Sequence, residues 1–354
     1  MAERRDIWLA WSVVGCMCFA APLPVAGRAQ TKTGAAPKIA TQKVVDETGR
    51  EQRVPVEVHR IITLAPSLTE IIYALGAGDR LVGVSEYSDK PSAAKEKPRV
   101  GMSMDPSLEA IAGLQPDLVL MTAVNRWQTE DALKEMGIPV YGIEPHTVED
   151  TLDSIMNIGR LIGAETQARD VVAKLQQRLD ALKGRLAGQA PKTVLFVVWN
   201  NPLISVGQRT FLADALRCAG AETVVKSRQD WPQVSLEEVV KLEPDYIVYA
   251  QKGADSPEEV AAAIQARLKE LKEEPGWRNL MAVKEGHVAV VSDEVNLPAP
   301  GLIDAIEQLA RQIHREAFEE KSEAQDAANH RKQILGLHAQ AHPRFQPEEA
   351  SCAR

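Results

Sequence analysis

SLEAIAGLQPDLVL, residues 107–120, returns as SLEEVVKLEPDYIV at residues 235–248. The copies lie 128 positions apart and share Ser, Leu, Glu, Leu, Pro and Asp in register, and most other positions exchange one apolar residue for another. Each copy has the grammar of one αβ unit. Ser107 or Ser235 offers a side-chain oxygen to a free amide at a helix start. Leu108, Ile111 and Leu114, like Leu236, Val239 and Leu242, form one apolar face at helical spacing. Pro116 and Pro244 end the helix, and the apolar runs after Asp117 and Asp245 read as buried strands. A repeat of such long period predicts two similar lobes rather than a solenoid. Two lobes enclose a cleft.

Working outward, the first copy sits in a predicted N-terminal α/β lobe over 41–147. It opens with an exposed hairpin around Glu47-Thr48-Gly49-Arg50, a buried strand from Arg60 to Leu64 and a helix begun by Pro66. A connecting helical segment follows over 148–188. From Glu165 onward Val172, Leu175, Leu179, Leu182 and Leu186 recur at three or four residues. Twenty-two residues at about 1.5 Å each give a rod on the order of 33 Å, enough to pass between lobes. The second copy lies in a C-terminal lobe over 189–318. The expected fold class is therefore α/β: two similar lobes joined by one long backbone helix, with a ligand cleft between them.

The ends carry different information. Arg4 and Arg5 precede an apolar run from Ile7 to Ala21, and Gly27-Arg28-Ala29 offers a small-x-small cleavage site. Residues 1–29 thus read as an export signal. The run is broken by Pro22 and Pro24 and is short for a membrane span. Val13-Val14-Gly15-Cys16 also resembles a lipoprotein cleavage box, so lipid attachment at Cys16 stays open beside simple cleavage; either outcome predicts a periplasmic location. Residues 30–40 form a flexible leader. Residues 319–354 are polar and alanine-rich without a core-forming stripe, as expected of a disordered tail. Two cysteines, Cys218 and Cys352, remain after the signal, and their pairing is undecided.

The chain of 354 residues has a net charge of −8 and few aromatics, with no basic patch, which argues against nucleic acid as a partner. It contains no G-x-G-x-x-G, phosphate loop, G-x-S-x-G or H-E-x-x-H. The histidines are scattered, and His338 with His342 fall in the tail. These absences favour a binding protein over an enzyme. A carboxylate-based exported hydrolase stays open, because such catalysis leaves little local trace. Tyr87 follows a strand and Trp231 precedes the second repeat; both sit at element ends, where clefts between α/β lobes form. Trp127 and Trp199 also fall near strand ends, whereas Trp277 reads as structural. Glu109 and Glu237 stand two residues after their capping serines. Interaction with the helix dipole explains them, and a matched pair of docking carboxylates is the functional alternative.

These features resemble the periplasmic binding proteins for vitamin B12 and iron–siderophores, the helical-backbone class of ABC-importer receptors. The resemblance runs from Lys43 to Phe318. It is carried by Arg60-Ile61-Ile62-Thr63-Leu64-Ala65-Pro66-Ser67 with Thr69-Glu70, by Val84-Ser85-Glu86-Tyr87-Ser88-Asp89, by the first repeat, by Asn201-Pro202-Leu203, and by Asp230-Trp231-Pro232-Gln233-Val234-Ser235-Leu236-Glu237. It implies a monomeric receptor with no cofactor that binds cobalamin or a related corrinoid as cargo and delivers it to a membrane permease. An iron–siderophore or haem ligand is the alternative. It further implies that Tyr87 and Trp231 flank the ligand, that Ser67 and Asp293 line the cleft, and that Glu109 and Glu237 dock on the permease. The chain departs from the B12 pattern at Ser103, Thr122, Ile204 and Leu297, where aromatic or arginine residues are expected. Cys218 matches half of a disulfide whose other half falls at Ala310. Trp127 and Trp199 are expected to supply the missing aromatic surface.

Overall fold

The computed structural model describes residues 40–123, 125 and 127–319. The export signal with Cys16, the leader before Ala40, and the tail from residue 320 with His338, His342 and Cys352 lie outside the described residues. Strands β1 (Thr41–Val45) and β2 (Glu51–Pro55) pair as an antiparallel hairpin. Strand β3 (Ile61–Thr63), helix α1 (Pro66–Ala74) and strand β4 (Leu81–Val84) follow. A short ladder of β5 (Gly101–Met102) with β6 (Asp105–Pro106) precedes helix α2 (Leu108–Gly113) and strand β7 (Leu118–Thr122). Helix α3 (Trp127–Glu135) and strand β8 (Val140–Ile143) complete the first lobe. Its four parallel strands are ordered β4-β3-β7-β8.

Helices α4 (Val148–Leu161) and α5 (Glu165–Leu186) come next. The second lobe runs through β9 (Lys192–Val197), the small ladder β10 (Trp199–Asn200) with β11 (Leu203–Ile204), helix α6 (Phe211–Cys218) and β12 (Ala221–Thr223). It continues through α7 (Leu236–Leu242), β13 (Tyr246–Gln251), α8 (Pro257–Glu273), α9 (Met281–Glu285), β14 (Val288–Ser292) and α10 (Gly301–Ile313). Its parallel sheet is ordered β12-β9-β13-β14. Counted within each lobe, both sheets have the order 2-1-3-4. The sequence repeat is therefore a repeat of topology.

The match extends to single hydrogen bonds. Ser107 Oγ accepts from the amide of Ala110 at 3.2 Å, and Ser235 Oγ from Glu238 at 3.1 Å. The helices do not end on the prolines themselves. Just past their last turns Gln115 and Glu243 are left-handed, at φ 47° and 43°, and Pro116 and Pro244 then prevent continuation. Asp117 Oδ2 accepts from the amides of His59 and Arg60 at 2.8 Å each. Its counterpart Asp245 Oδ2 accepts from the amide and hydroxyl of Thr193 at 2.7 and 2.8 Å. Each aspartate thus pins the start of the neighbouring central strand to its own.

One expectation needs correction. The β1–β2 hairpin is exposed along β1 only. Val54 and Gln52 of β2 are buried, and Gln52 Nε2 donates to Asp46 Oδ2 at 2.6 Å and Glu130 Oε1 at 2.8 Å, so β2 covers the first lobe. The connecting segment over 148–188 holds α4 and α5, separated at Gly163 with φ 70°, and α5 has the twenty-two residues expected of the rod from Glu165 onward. The long backbone helix is α5, whose Arg178 pairs with Asp304 and Glu307 of α10 at 2.5 and 3.1 Å. Leu161, Ala168, Leu175 and Leu182 belong to one continuous apolar core that includes Ile61 and Leu118 of the first lobe and Val194 and Phe196 of the second.

Candidate functional site

A 2-1-3-4 parallel sheet reverses its strand order between its first and third strands, and ligands of such sheets bind outside the carboxyl ends of the strands near that point. The polar contacts between the lobes join these ends to each other. Lys90, after β4, reaches Asp255 after β13 at 3.0 Å and Glu294 after β14 at 2.7 Å. Asp89 accepts from Lys252, also after β13, at 3.0 Å. The carboxyl edges of the two sheets therefore face one another across the cleft.

Tyr87 and Trp231 stand in equivalent loops, each after the second strand of its lobe and before its repeat helix. Both rings are open, at 63% and 54% exposure. The loop under Tyr87 is fixed from within by a buried hydroxyl chain: Thr63 to Thr69 at 2.6 Å, Thr69 to Ser88 at 2.9 Å, and Ser88 to Ser85 at 2.8 Å. From outside, Arg99 Nη1 donates to the carbonyls of Ser85 and Ser88 at 3.0 Å each. With these neighbours of Tyr87 committed, its ring is left projecting. Trp231 is held in the same manner by its flanking backbone: the amide of Gly207 donates to Asp230 O, and that of Ser205 to Pro232 O, both at 3.0 Å. Trp199 follows β9, is 62% exposed, and spends its indole N–H on the carbonyl of Asn201 at 2.9 Å, which leaves its ring faces free. Trp127 opens α3 after β7; its side chain lies outside the described residues.

Asp293 is half-buried after β14, and burial pushes its carboxyl up from the ordinary aspartate value. Ser67 is different. It sits in the first turn of α1 with 2% exposure, so the structure places it beneath the cleft surface and leaves little of it for a ligand. Glu109 and Glu237 are exposed in the first turns of α2 and α7. Trp277 is buried in the core of the second lobe, in line with a structural role. Cys218 has no disulfide partner among the described residues, and burial pushes its thiol up to about 11.

Met102 and Met104 escape a reading of the sequence. They flank the tip of the β5–β6 ladder with 48% and 56% exposure, and the Tyr87 hydroxyl points to Met102 Sδ at 3.9 Å. Asn125, buried after the end of β7, donates to the carbonyl of Ser103 between them. Large apolar side chains are seldom left open in this concentration unless they meet something. Two methionines beside a glycine turn are the available signal. Equally unforeseen is the charge cluster at the junction. Glu70 Oε1 accepts from the amide of Gly301 at 2.6 Å, and Glu294 Oε2 has no hydrogen-bond donor among the described residues apart from a protonated Glu70. Burial, then the neighbouring Glu294, pushes the Glu70 carboxyl up to about 8, so that it carries the proton the pair needs. Burial opposes the charge on Lys90, yet its bonds to Glu294 and Asp255 hold it above the usual lysine range. A groove of about 1000 Å³ opens beside this cluster between α1, α8 and α10, reaching Tyr73, Val260, Ile264 and Arg311. It touches none of Tyr87, Trp199, Trp231 or Asp293.

The fold agrees with comparisons to known proteins. The chain is 28% identical over 329 residues to the uncharacterized ABC transporter substrate-binding lipoprotein YvrC of Bacillus subtilis, covering 90% of this chain and all of that one. The crystal structure of the periplasmic vitamin B12 binding protein BtuF of Vibrio cholerae superposes with a TM-score of 0.62 at 29% identity, over 74% of this chain and 99% of that one. A possible iron-binding periplasmic solute-binding protein from Staphylococcus epidermidis does so with a TM-score of 0.62 at 26% identity, over 73% and 99%. A family model described as periplasmic binding protein matches residues 61–295, and the chain belongs to that family.

Proposed function

We propose that this protein captures a corrinoid, cobalamin or a close relative, between its lobes and delivers it to the membrane permease of an ABC importer. The observation that carries the reading is the pair of open rings, Tyr87 and Trp231, on equivalent loops at the carboxyl edges of the two sheets. A wide, flat macrocycle offers faces to both. Such ring contacts contribute about 0.5–1.5 kcal/mol each beyond area burial. Trp199, Met102 and Met104 extend the apolar surface, and methionine adapts to irregular ligand edges. Asp293 supplies a hydrogen-bonding group for peripheral amides. Trp127 is assigned to the same cleft by its position after β7. Ser67 acts indirectly, from beneath the floor of the cleft. No covalent chemistry is involved, and the receptor works as a monomer.

Delivery rests on Glu109 and Glu237, which occupy the same position in the two repeats and bind nothing else among the described residues. Their reach to two basic sockets on a permease would set orientation and association rate. A calorimetric titration with cobalamin, cobinamide, haem and a ferric siderophore tests the ligand class. Cobalamin or cobinamide is expected to bind, and Trp231→Ala to weaken it at least about tenfold without loss of the fold. Binding of only a ferric complex would move the ligand to the iron class represented by the Staphylococcus relative. Binding of none, or an unaltered affinity in Trp231→Ala, would remove the rings from the site.

A further inference from the structure

The loop that presents Tyr87 belongs by sequence and topology to the first lobe, yet two of its next three side chains are spent on the second. Asp89 Oδ2 takes a bond from Lys252 at 3.0 Å, and Lys90 Nζ lies 2.7 Å from Glu294 Oε1 and 3.0 Å from Asp255 Oδ1. The two arms differ in kind. Asp89 and Lys252 meet at a largely exposed site, where such pairs contribute little. Glu294 is 9% exposed in its side chain, and Lys90 is the only cation that contacts it among the described residues. Its other oxygen lies against Glu70 and Gly301: a methyl group placed on Gly301 would stand 2.5 Å from Glu294 Oε2 and 3.0 Å from Glu70 Oε1. Asp255 is itself held by the Ser292 hydroxyl at 2.7 Å. Lys90 therefore enters a socket whose two carboxylates both come from the second lobe, three residues after the ring proposed to touch the ligand.

We propose that Lys90 is a positioning residue for ligand capture: anchored in the Asp255–Glu294 socket, it fixes the 85–90 loop against the second lobe and so sets where Tyr87 stands across the cleft. This rests on the ligand-binding reading of the cleft above. A carboxylate as buried as Glu294 does not tolerate loss of its cation well, so the loop is not free to drift while the bridge is made. The cleft aperture on this side is then fixed before ligand arrives, and the affinity of the receptor depends on a residue that need not touch the ligand.

The test uses Lys90→Gln, the conservative Lys90→Arg, Tyr87→Ala and the double variant Lys90→Gln/Tyr87→Ala, in the full chain. Hydrogen exchange without ligand reads the bridge directly at the amides of Glu86, Ser88 and Asp89, which are bonded to Gly101 O, Ser85 O and Tyr87 O. Lys90→Gln is expected to speed their exchange about tenfold, and Lys90→Arg to restore most of the protection. Affinity for whichever of cobalamin, cobinamide, haem or ferric siderophore the wild type binds should fall about tenfold in Lys90→Gln, mainly through faster release. In the Tyr87→Ala background the same change should cost almost nothing, because Lys90 acts through that ring. An equal loss in both backgrounds, or unaltered exchange and affinity in Lys90→Gln, overturns the proposal. Should Lys90→Gln fail to fold, Asp255→Asn neutralises one carboxylate of the Lys90 socket, and a partial rise in exchange at Asp89 is expected; no rise overturns it. A wild type that binds no ligand of the panel refutes the functional reading, while the exchange result still decides the bridge.

Discussion

Glu70 shows how one side chain can make a whole receptor sensitive to pH. Its carboxyl is packed against Glu294 and the Gly301 amide, with Lys90 on the far side of Glu294 and Asp255 beyond it. In the unfolded chain it titrates near the ordinary glutamate value of 4.5, and in the native protein near 8. The native state therefore holds more protons than the unfolded state between those values. Its contribution is fully present below about pH 4.5 and is lost as pH rises towards 8. At about 1.4 kcal/mol for each pH unit between the two values, reduced by the partial exposure of the group, a loss of about 2 kcal/mol is expected. That corresponds to roughly 4 °C in a protein of this size. Glu70→Gln keeps a neutral donor beside Glu294 and should flatten this decline. Melting curves from pH 5 to 9 that run parallel for wild type and variant would show that Glu70 gives up its proton without cost.

Among the elements, the paired strand clamps make the most direct prediction. Asp117 holds the start of β3 and Asp245 the start of β9 through the same carboxylate-to-amide geometry. Hydrogen bonds to a charged acceptor contribute about 1.5–3 kcal/mol. These sites are exposed to competing water, so about 1 kcal/mol each is expected for Asp117→Ala and Asp245→Ala. The two lie in different lobes and share no partner, and their effects should add in denaturant unfolding. Ligand affinity should stay unaltered, since both clamps sit at the amino ends of the strands, away from the cleft. The same elements show what a sequence can disclose. Ser107, Leu108, Pro116 and Asp117 act on neighbours within a few residues or on the next strand, so their chemistry repeats legibly at 235–245. The open rings of Tyr87 and Trp231 are likewise readable from their place at strand ends. The Lys90–Glu294 bridge and the Glu70–Glu294 pair are not. They join residues about 200 positions apart, and no periodicity marks which charges meet. Met102 and Met104 are hidden because exposed thioethers at a turn carry the same letters as buried ones, and the resemblance directs attention to Ser103 between them. Burial of Ser67 is hidden for a related reason: α1 begins one residue before it, and only the packing of that first turn decides that it lies inside.

At the scale of the molecule, one apolar core runs through both lobes and the α4–α5 connection, so wide closure of the lobes would have to disturb packed side chains among the described residues. Lobe closure is thus a poor candidate for the signal that tells a permease whether cargo is present. What the molecule does offer is two rigid helix starts at matched positions, Glu109 on α2 and Glu237 on α7, one per lobe. Each carboxylate is favoured where it stands by about 0.3–1 kcal/mol of helix-dipole interaction, so replacing either should lower stability by no more than that. A docking role demands a far larger effect on transport than on folding. Charge pairs at the rim of an interface act mainly on association, and their effect fades with added salt. Glu109→Ala/Glu237→Ala should therefore retain ligand affinity within about twofold, yet reduce ligand uptake about tenfold or more in cells that depend on this receptor. Each single variant should fall between, because either lobe alone can still engage its socket. Exchange for lysine should be worse than alanine, since a like charge would then face each socket. Normal uptake by the double alanine variant would return both glutamates to the service of their own helices and place the permease contact elsewhere.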